Sequence, residues 1–140
     1  MTKFGDFQGT WRCISCESVE DLIKKYSSIK PNQIYTKCPL RMLLKIEFTK
    51  KENKWRIISE TNFETILTRF EIGKEFNDET VYGKKVKSIA TIDESKLVVT
   101  QNTNGNSACV ISHQISKNGE LIVAFKTKDI EANRVFQRTK

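Results

Sequence analysis

The chain is poor in the residues that punctuate structure and in those that do chemistry. It has two prolines, six glycines and one histidine in 140 residues. No apolar run reaches the roughly 18 residues that a membrane-spanning helix needs. The start, Met1-Thr2-Lys3-Phe4-Gly5-Asp6, lacks the apolar core of a secretory leader, so a cytosolic protein is expected. No repeat, low-complexity tract or linker interrupts the chain. G-x-S-x-G, Walker and H-E-x-x-H motifs are all missing. The lone histidine, His113, has no serine or cysteine partner placed by motif. These absences exclude the common hydrolase, nucleotide-binding and metalloprotease readings, and an enzyme is not expected.

Cysteine needs a closer look. There are four, Cys13, Cys16, Cys38 and Cys109. Without an export signal they are expected to be reduced. Cys13-Ile14-Ser15-Cys16 has the C-x-x-C spacing of redox and zinc sites. No second C-x-x-C follows, and a structural zinc usually takes four ligands. The segment also reads as a strand, in which positions i and i+3 face opposite ways. Neither metal nor cofactor is expected.

What is present points to a globular chain. Hydrophobic residues make up 38% and charged residues 29%, a balance that supports one folded domain, residues 1–140, with a sizeable core. The net charge of +7 favours anionic partners but says nothing of the fold.

Trp11 to Cys16 reads as a first strand. Ser18 then stands as an N-cap, with Asp21 at the third helical position. Val19, Leu22, Ile23 and Tyr26 follow at i, i+3, i+4 and i+7, one apolar helical stripe. Lys24 and Lys25 lie off it. Ser27 to Lys30 is a turn. Pro31 opens a second short helix carrying Ile34, Tyr35 and Cys38, and Pro39 closes it.

Beyond Arg41 the pattern is of strands at intervals of about ten residues. The runs are Arg41–Thr49, Lys54–Glu60, Glu64–Phe70, Lys74–Val81, Lys85–Thr91, Lys96–Asn102, Ser107–Ile115, Glu120–Lys126 and Ile130–Arg138. Turn residues separate them: Lys51-Glu52-Asn53, Tyr82-Gly83, Asp93-Glu94-Ser95, Asn104-Gly105-Asn106 and Lys117-Asn118-Gly119. Asn104-Gly105 and Asn118-Gly119 suit tight hairpins with positive φ. Ten antiparallel strands in sequence order avoid exposed edges by closing into a barrel. A barrel of that size is wider than side chains alone can fill.

The last strand carries the candidate chemistry. Alternation sets Ala132, Arg134 and Phe136 on one face and Asn133, Val135 and Gln137 on the other. If the first face points outward, Arg134 is an ordinary solvated charge. If it points inward, Arg134 is a buried cation and requires an anionic or strongly polar partner. In Ser107–His113, Ala108, Val110 and Ser112 alternate with Cys109, Ile111 and His113. Either Ser112 or His113 faces inward, and His113 is expected outside.

Phe7-Gln8-Gly9-Thr10-Trp11, followed by the helix, resembles the opening of the intracellular lipid-binding proteins, the fatty-acid-binding and cellular retinoid-binding proteins. Phe70-Glu71-Ile72-Gly73-Lys74-Glu75-Phe76 is similar to the family's F-x-x-G-x-E-F, and Val86-Lys87-Ser88 to its V-K-S. Gln101 and Gly105 stand in its Q-x-W-x-G, and Arg134-Val135-Phe136 in its terminal R-x-Y. The resemblance implies an all-β fold, a ten-strand antiparallel up-and-down β-barrel or β-clam with a two-helix lid after the first strand. It also implies a cavity that holds a lipid carboxylate with two arginines and a tyrosine. Arg134 matches one arginine, and Phe136 matches the tyrosine without its hydroxyl. Ser112 falls at the other arginine, Thr103 at a tryptophan, and Val19 at a phenylalanine of the helix.

The ligand-contacting residues expected on this basis are Arg134, Phe136, Ser112, Val110, Val123, Phe63, Val81, Val19 and Tyr26. For Phe63 and Phe76, core packing serves as well as ligand contact. The function implied is a monomeric, non-catalytic cytosolic carrier, with the nucleus as a further compartment. It would deliver a long-chain fatty acid or similar hydrophobic ligand to membranes or enzymes. The missing arginine and tyrosine leave a retinoid or neutral lipid as the alternative cargo. A basic membrane-surface or nucleic-acid module is the alternative of a different class. It requires exposed aromatics among the basic residues, whereas the aromatics here read as core, so nucleic acid is not expected. A thiol-dependent enzyme built on Cys13 and Cys16 is disfavoured by their spacing. Lys24, Lys25, Lys30, Lys37 and Arg41 gather around the lid as a solvated face or a dock for anionic membranes.

Overall fold

The computed structural model describes residues 4–26, 42–49, 53–61, 65–81, 84–103 and 106–139. A 3-10 turn, Phe4–Phe7, leads into strand β1, Gly9–Glu17, and helix α1, Val19–Tyr26. Nine more strands follow: β2 Leu43–Thr49, β3 Lys54–Glu60, β4 Thr65–Glu71, β5 Glu75–Glu79 and β6 Lys85–Asp93; then β7 Lys96–Thr103, β8 Asn106–Ile115, β9 Leu121–Lys126 and β10 Glu131–Arg138. They form one sheet in the order β4-β3-β2-β1-β10-β9-β8-β7-β6-β5. Every neighbouring pair is antiparallel. This is the expected meander, rolled into a nearly closed barrel.

The seam lies between β4 and β5, the two ends of the sheet order. Aromatic rings bridge it where backbone pairing stops. Phe70 of β4 stacks on Phe76 of β5 with centroids 5.2 Å apart. Trp55 continues the stack onto Phe70 at 6.1 Å, and Phe48 onto Trp55 at 4.6 Å. Offset ring stacks of this kind add to simple area burial. Gly73 turns the chain between the two strands at φ +82°, and its amide donates to the Ala90 carbonyl at 2.8 Å.

Helix α1 has the expected bounds, and its stripe is buried at Val19, Leu22 and Ile23. Ser18 precedes it with φ +61°, outside the extended backbone an N-cap normally takes. Its carbonyl accepts the Leu22 N–H at 3.0 Å. The expected second helix and Phe63 lie outside the described residues. Asn104-Gly105 does so too, whereas the turn at Asn118-Gly119 carries positive φ on Gly119 alone, +84°.

Two local devices adjust β1. Arg138 stacks its guanidinium over Trp11 at 4.1 Å and donates to the carbonyls of Gln8 and Asp6, each at 2.6 Å. Gly9 makes room for that clasp: at φ +132°, a Cβ there would lie 2.6 Å from Arg138 Nη1. The second device is a bulge between Cys13 and Ser15. Cys13 pairs with Phe136 and Cys16 with Arg134, two residues of the same inner face. The extra residue corrects the expectation that the two cysteines face opposite ways, because a bulge shifts the side-chain alternation by one.

Candidate functional site

The inner faces of the strands build a cavity of about 210 Å³. Alternation puts Val99 and Gln101 of β7, Ile111 and His113 of β8, Val123 and Phe125 of β9, and Arg134 and Phe136 of β10 on its wall. Most of that wall is apolar, so an apolar guest gains what the side chains themselves gain on leaving water, about 0.8 kcal/mol per methylene.

Arg134 settles the question the sequence left open. Its face points inward, and the residue is only 6% exposed. The guanidinium lies over the Phe125 ring, 5.4 Å from its centroid. Cation–π contact offsets part of the desolvation of the charge. Phe136, 1% exposed, lies beside it on the same face.

The ladder carries that level of the barrel across three more strands. Arg134 pairs with Val123, Val123 with His113, and His113 with Leu97. His113 is therefore an inner residue, 6% exposed and part of the cavity wall. This corrects the expectation that it lies outside. Ser112 and Val110 alternate with it and turn to the other face of β8, away from the cavity. Burial lowers the His113 pKa to about 4, against a smaller opposing effect of its bond to Leu97. The ring is neutral at pH 7. Since the Leu97 carbonyl can only accept, Nδ1–H donates to it, at 3.2 Å. Nε2 is then the ring's lone-pair acceptor.

A second polar group stands further along β7. Asp78 Oδ2 accepts from Ser88 Oγ at 2.8 Å and from Gln101 Nε2 at 3.0 Å. Gln101 Nε2 also donates to the Glu79 carbonyl at 3.3 Å. Both of its partners are acceptors, which fixes the amide orientation. Gln101 is 1% exposed, and its Oε1 has no hydrogen-bond partner among the described residues. From Leu97 to Gln101 is four residues of strand, about 13 Å at 3.3 Å each. The two polar groups thus sit at different depths of one apolar chamber.

Of the expected ligand contacts, Arg134, Phe136, Val123 and Val81 line the cavity. Val19 packs in the core beneath α1. Tyr26 turns its hydroxyl to Thr127 Oγ1 at 3.1 Å and to Asp129 Oδ2 at 3.2 Å, which ties the helix to the β9–β10 turn. The wall also holds His113, Gln101 and Asp78, which no local pattern singles out as ligand contacts. Alternation from Leu97 marks Gln101 as inward, and pairing with β7 marks His113, but the register shift between Gln101 and Asn102 hides that count from the sequence.

Two of the thiols, Cys13 and Cys109, are not poised for chemistry. Burial raises the pKa of Cys13, with the Arg134 charge opposing it, and lifts Cys109 to about 11. A nucleophilic thiol needs the opposite shift. Among the described residues, no three acidic, cysteine or histidine side chains gather as a metal site. No helix among them is long and apolar enough to cross a membrane.

The model of the lipocalin / cytosolic fatty-acid binding protein family matches residues 8–139. The chain is 31% identical over 137 residues to cellular retinoic acid-binding protein 1 of Hippocampus comes, covering 95% of this chain and 98% of that one. It is 26% identical over 131 residues to fatty acid-binding protein 12 of Rattus norvegicus, covering 94% and 96%. A solved structure, the REP1-NXSQ fatty acid transporter, superimposes with a TM-score of 0.85 at 23% identity, covering 97% and 98% of the two chains, and so shares the fold.

Proposed function

The chain belongs to the lipocalin / cytosolic fatty-acid binding protein family, and on that premise we propose that it is a non-catalytic carrier of a long-chain hydrophobic acid. The cargo lies inside the barrel, its tail against the apolar wall and its carboxylate toward Arg134. The observation that carries this reading is Arg134 itself: a cation 6% exposed on the wall of an apolar cavity. A carboxylate there makes a charge-assisted hydrogen bond in a medium where such bonds are strong. Fatty acid is the first cargo, and the relative named for retinoic acid supports a retinoid as the second. Both are apolar chains or rings ending in a carboxylate.

The reading extends to a single, monomeric barrel domain that works in the cytosol with access to the nucleus. It gives up its cargo through passing contact with anionic membranes, which the net charge of +7 favours.

The test is competitive displacement of a fluorescent fatty acid from delipidated protein. Palmitate and hexadecanol are compared on the native chain and on Arg134→Gln. The variant is expected to lose affinity for the acid by ten-fold or more while leaving the alcohol within a factor of about three, the range of a lost charged partner against a neutral one. Equal losses for both would remove Arg134 from the head-group role. Failure of the native chain to bind either would remove the carrier reading.

A further inference from the structure

From the geometry around Arg134, we infer that the head-group end of the cavity pairs a cation with a neutral hydrogen-bond acceptor, and that it selects acids carrying a hydroxyl next to the carboxylate. The acceptor is His113 Nε2. This rests on the carrier reading above and specifies its ligand.

Three observations lead to it. His113 and Arg134 lie on one level of the barrel, with Val123 of β9 between them, and all three line the same cavity. Strands are about 4.8 Å apart, so the two backbones are separated by about 10 Å, a span that one head group and the two inward side chains together can fill. The His113 ring is fixed by its Nδ1–H bond to the Leu97 carbonyl in the barrel wall. The two ring nitrogens point in divergent directions, so Nε2 is turned away from that carbonyl. Nε2 has no hydrogen-bond partner among the described residues. A neutral imidazole held this way accepts a hydrogen bond and cannot donate a second one.

A plain carboxylate satisfies only half of this arrangement. It takes the Arg134 donors but sets one acceptor against another at Nε2. An α-hydroxyl adds the missing donor within reach of the same head. The other charged and titratable groups near this end do not supply it. Cys13 and Cys16 of β1 face inward beside Arg134, and Cys13 already donates to the Ser15 carbonyl at 3.3 Å. Asp78 lies with Gln101, about 13 Å further along β7. In the empty cavity burial lowers the His113 pKa to about 4, so the ring meets an entering ligand as a neutral acceptor.

Palmitate and α-hydroxypalmitate distinguish the outcomes, titrated at pH 7 into delipidated native protein, His113→Phe and His113→Gln. Native protein is expected to prefer the hydroxy acid about fivefold, the size of one net hydrogen bond. His113→Phe, which removes the acceptor, is expected to abolish the preference. His113→Gln, which restores an acceptor, is expected to keep most of it. Because the chain has one histidine, its imidazole nitrogen resonances report the partner directly: Nε2 stays unprotonated in the complex and shifts on hydroxy-acid binding. Equal affinities in native protein, a preference untouched by His113→Phe, or protonation of Nε2 when palmitate binds would each overturn the inference. If neither acid binds, the carrier reading fails with it, so the two failures remain distinct.

Discussion

His113 shows what a buried titratable side chain on the cavity wall costs in stability. The His113 pKa falls from an ordinary 6.5 to about 4 because burial disfavours its charged form. The unfolded chain therefore binds more protons than the folded one between those values, and stability falls as pH drops through that window. At 1.36 kcal/mol per unit the full loss is on the order of 3 kcal/mol, of which about 2 is reached at pH 5. Urea unfolding of the ligand-free protein at pH 7 and pH 5 should show this loss, and His113→Gln should remove most of it. Parallel losses in the two proteins would place the pH dependence elsewhere. Arg134 was legible as a candidate from the alternation of β10, because Ala132 and Phe136 mark its face. His113 was not, since the choice between it and Ser112 depends on pairing with β7, which no local pattern reveals. The inward turn of Cys16 was hidden for the same kind of reason: one bulged residue reverses the parity of everything beyond it.

Helix α1 is the element whose bounds the sequence displayed best, because the spacing of Val19, Leu22, Ile23 and Tyr26 is a helical period and nothing else fits it. Its attachment was not visible. Tyr26 holds Thr127 and Asp129, and Lys25 holds Asp129 at 3.4 Å, so the helix is latched to the β9–β10 turn over more than a hundred residues of chain. Those bonds to Lys25 and Tyr26 lower the Asp129 pKa. The basic face of the helix is also less free than its composition implies, since Lys24 is paired with Glu20 at 3.2 Å. Exposed pairs of this kind are weak, so both lysines remain able to exchange an acidic side chain for lipid phosphate. Replacing Lys24 and Lys25 by Gln is therefore expected to slow fatty-acid transfer to anionic vesicles several-fold and to leave transfer to neutral vesicles unchanged. Stopped-flow transfer assays measure both rates; equal slowing on the two kinds of vesicle would contradict a membrane-contact role for this face.

At the scale of the molecule, the barrel follows from ten strands separated by turns, and that much was readable from the recurrence of short β-patterned runs. The sheet order simply follows the chain, as short connections favour. The seam at β4 and β5 follows too, once Gly73 and the Phe70–Phe76 stack are seen to replace backbone pairing there. What the periodicity could not supply is the inside: mixed polar and apolar residues on both faces of β8 left the lining ambiguous until register assigned it. The central claim is that the ligand lies within the barrel with its head at the level of Arg134 and His113. Its most direct test is NMR of the delipidated protein titrated with palmitate, following the Arg134 Nε–H, the His113 ring and the backbone amides. Saturable shifts centred on Arg134, His113, Val123 and Phe136, with the outer-face neighbours Ser112 and Val135 little changed, are the predicted result. Shifts confined to the outer face, or none that saturate, would contradict it.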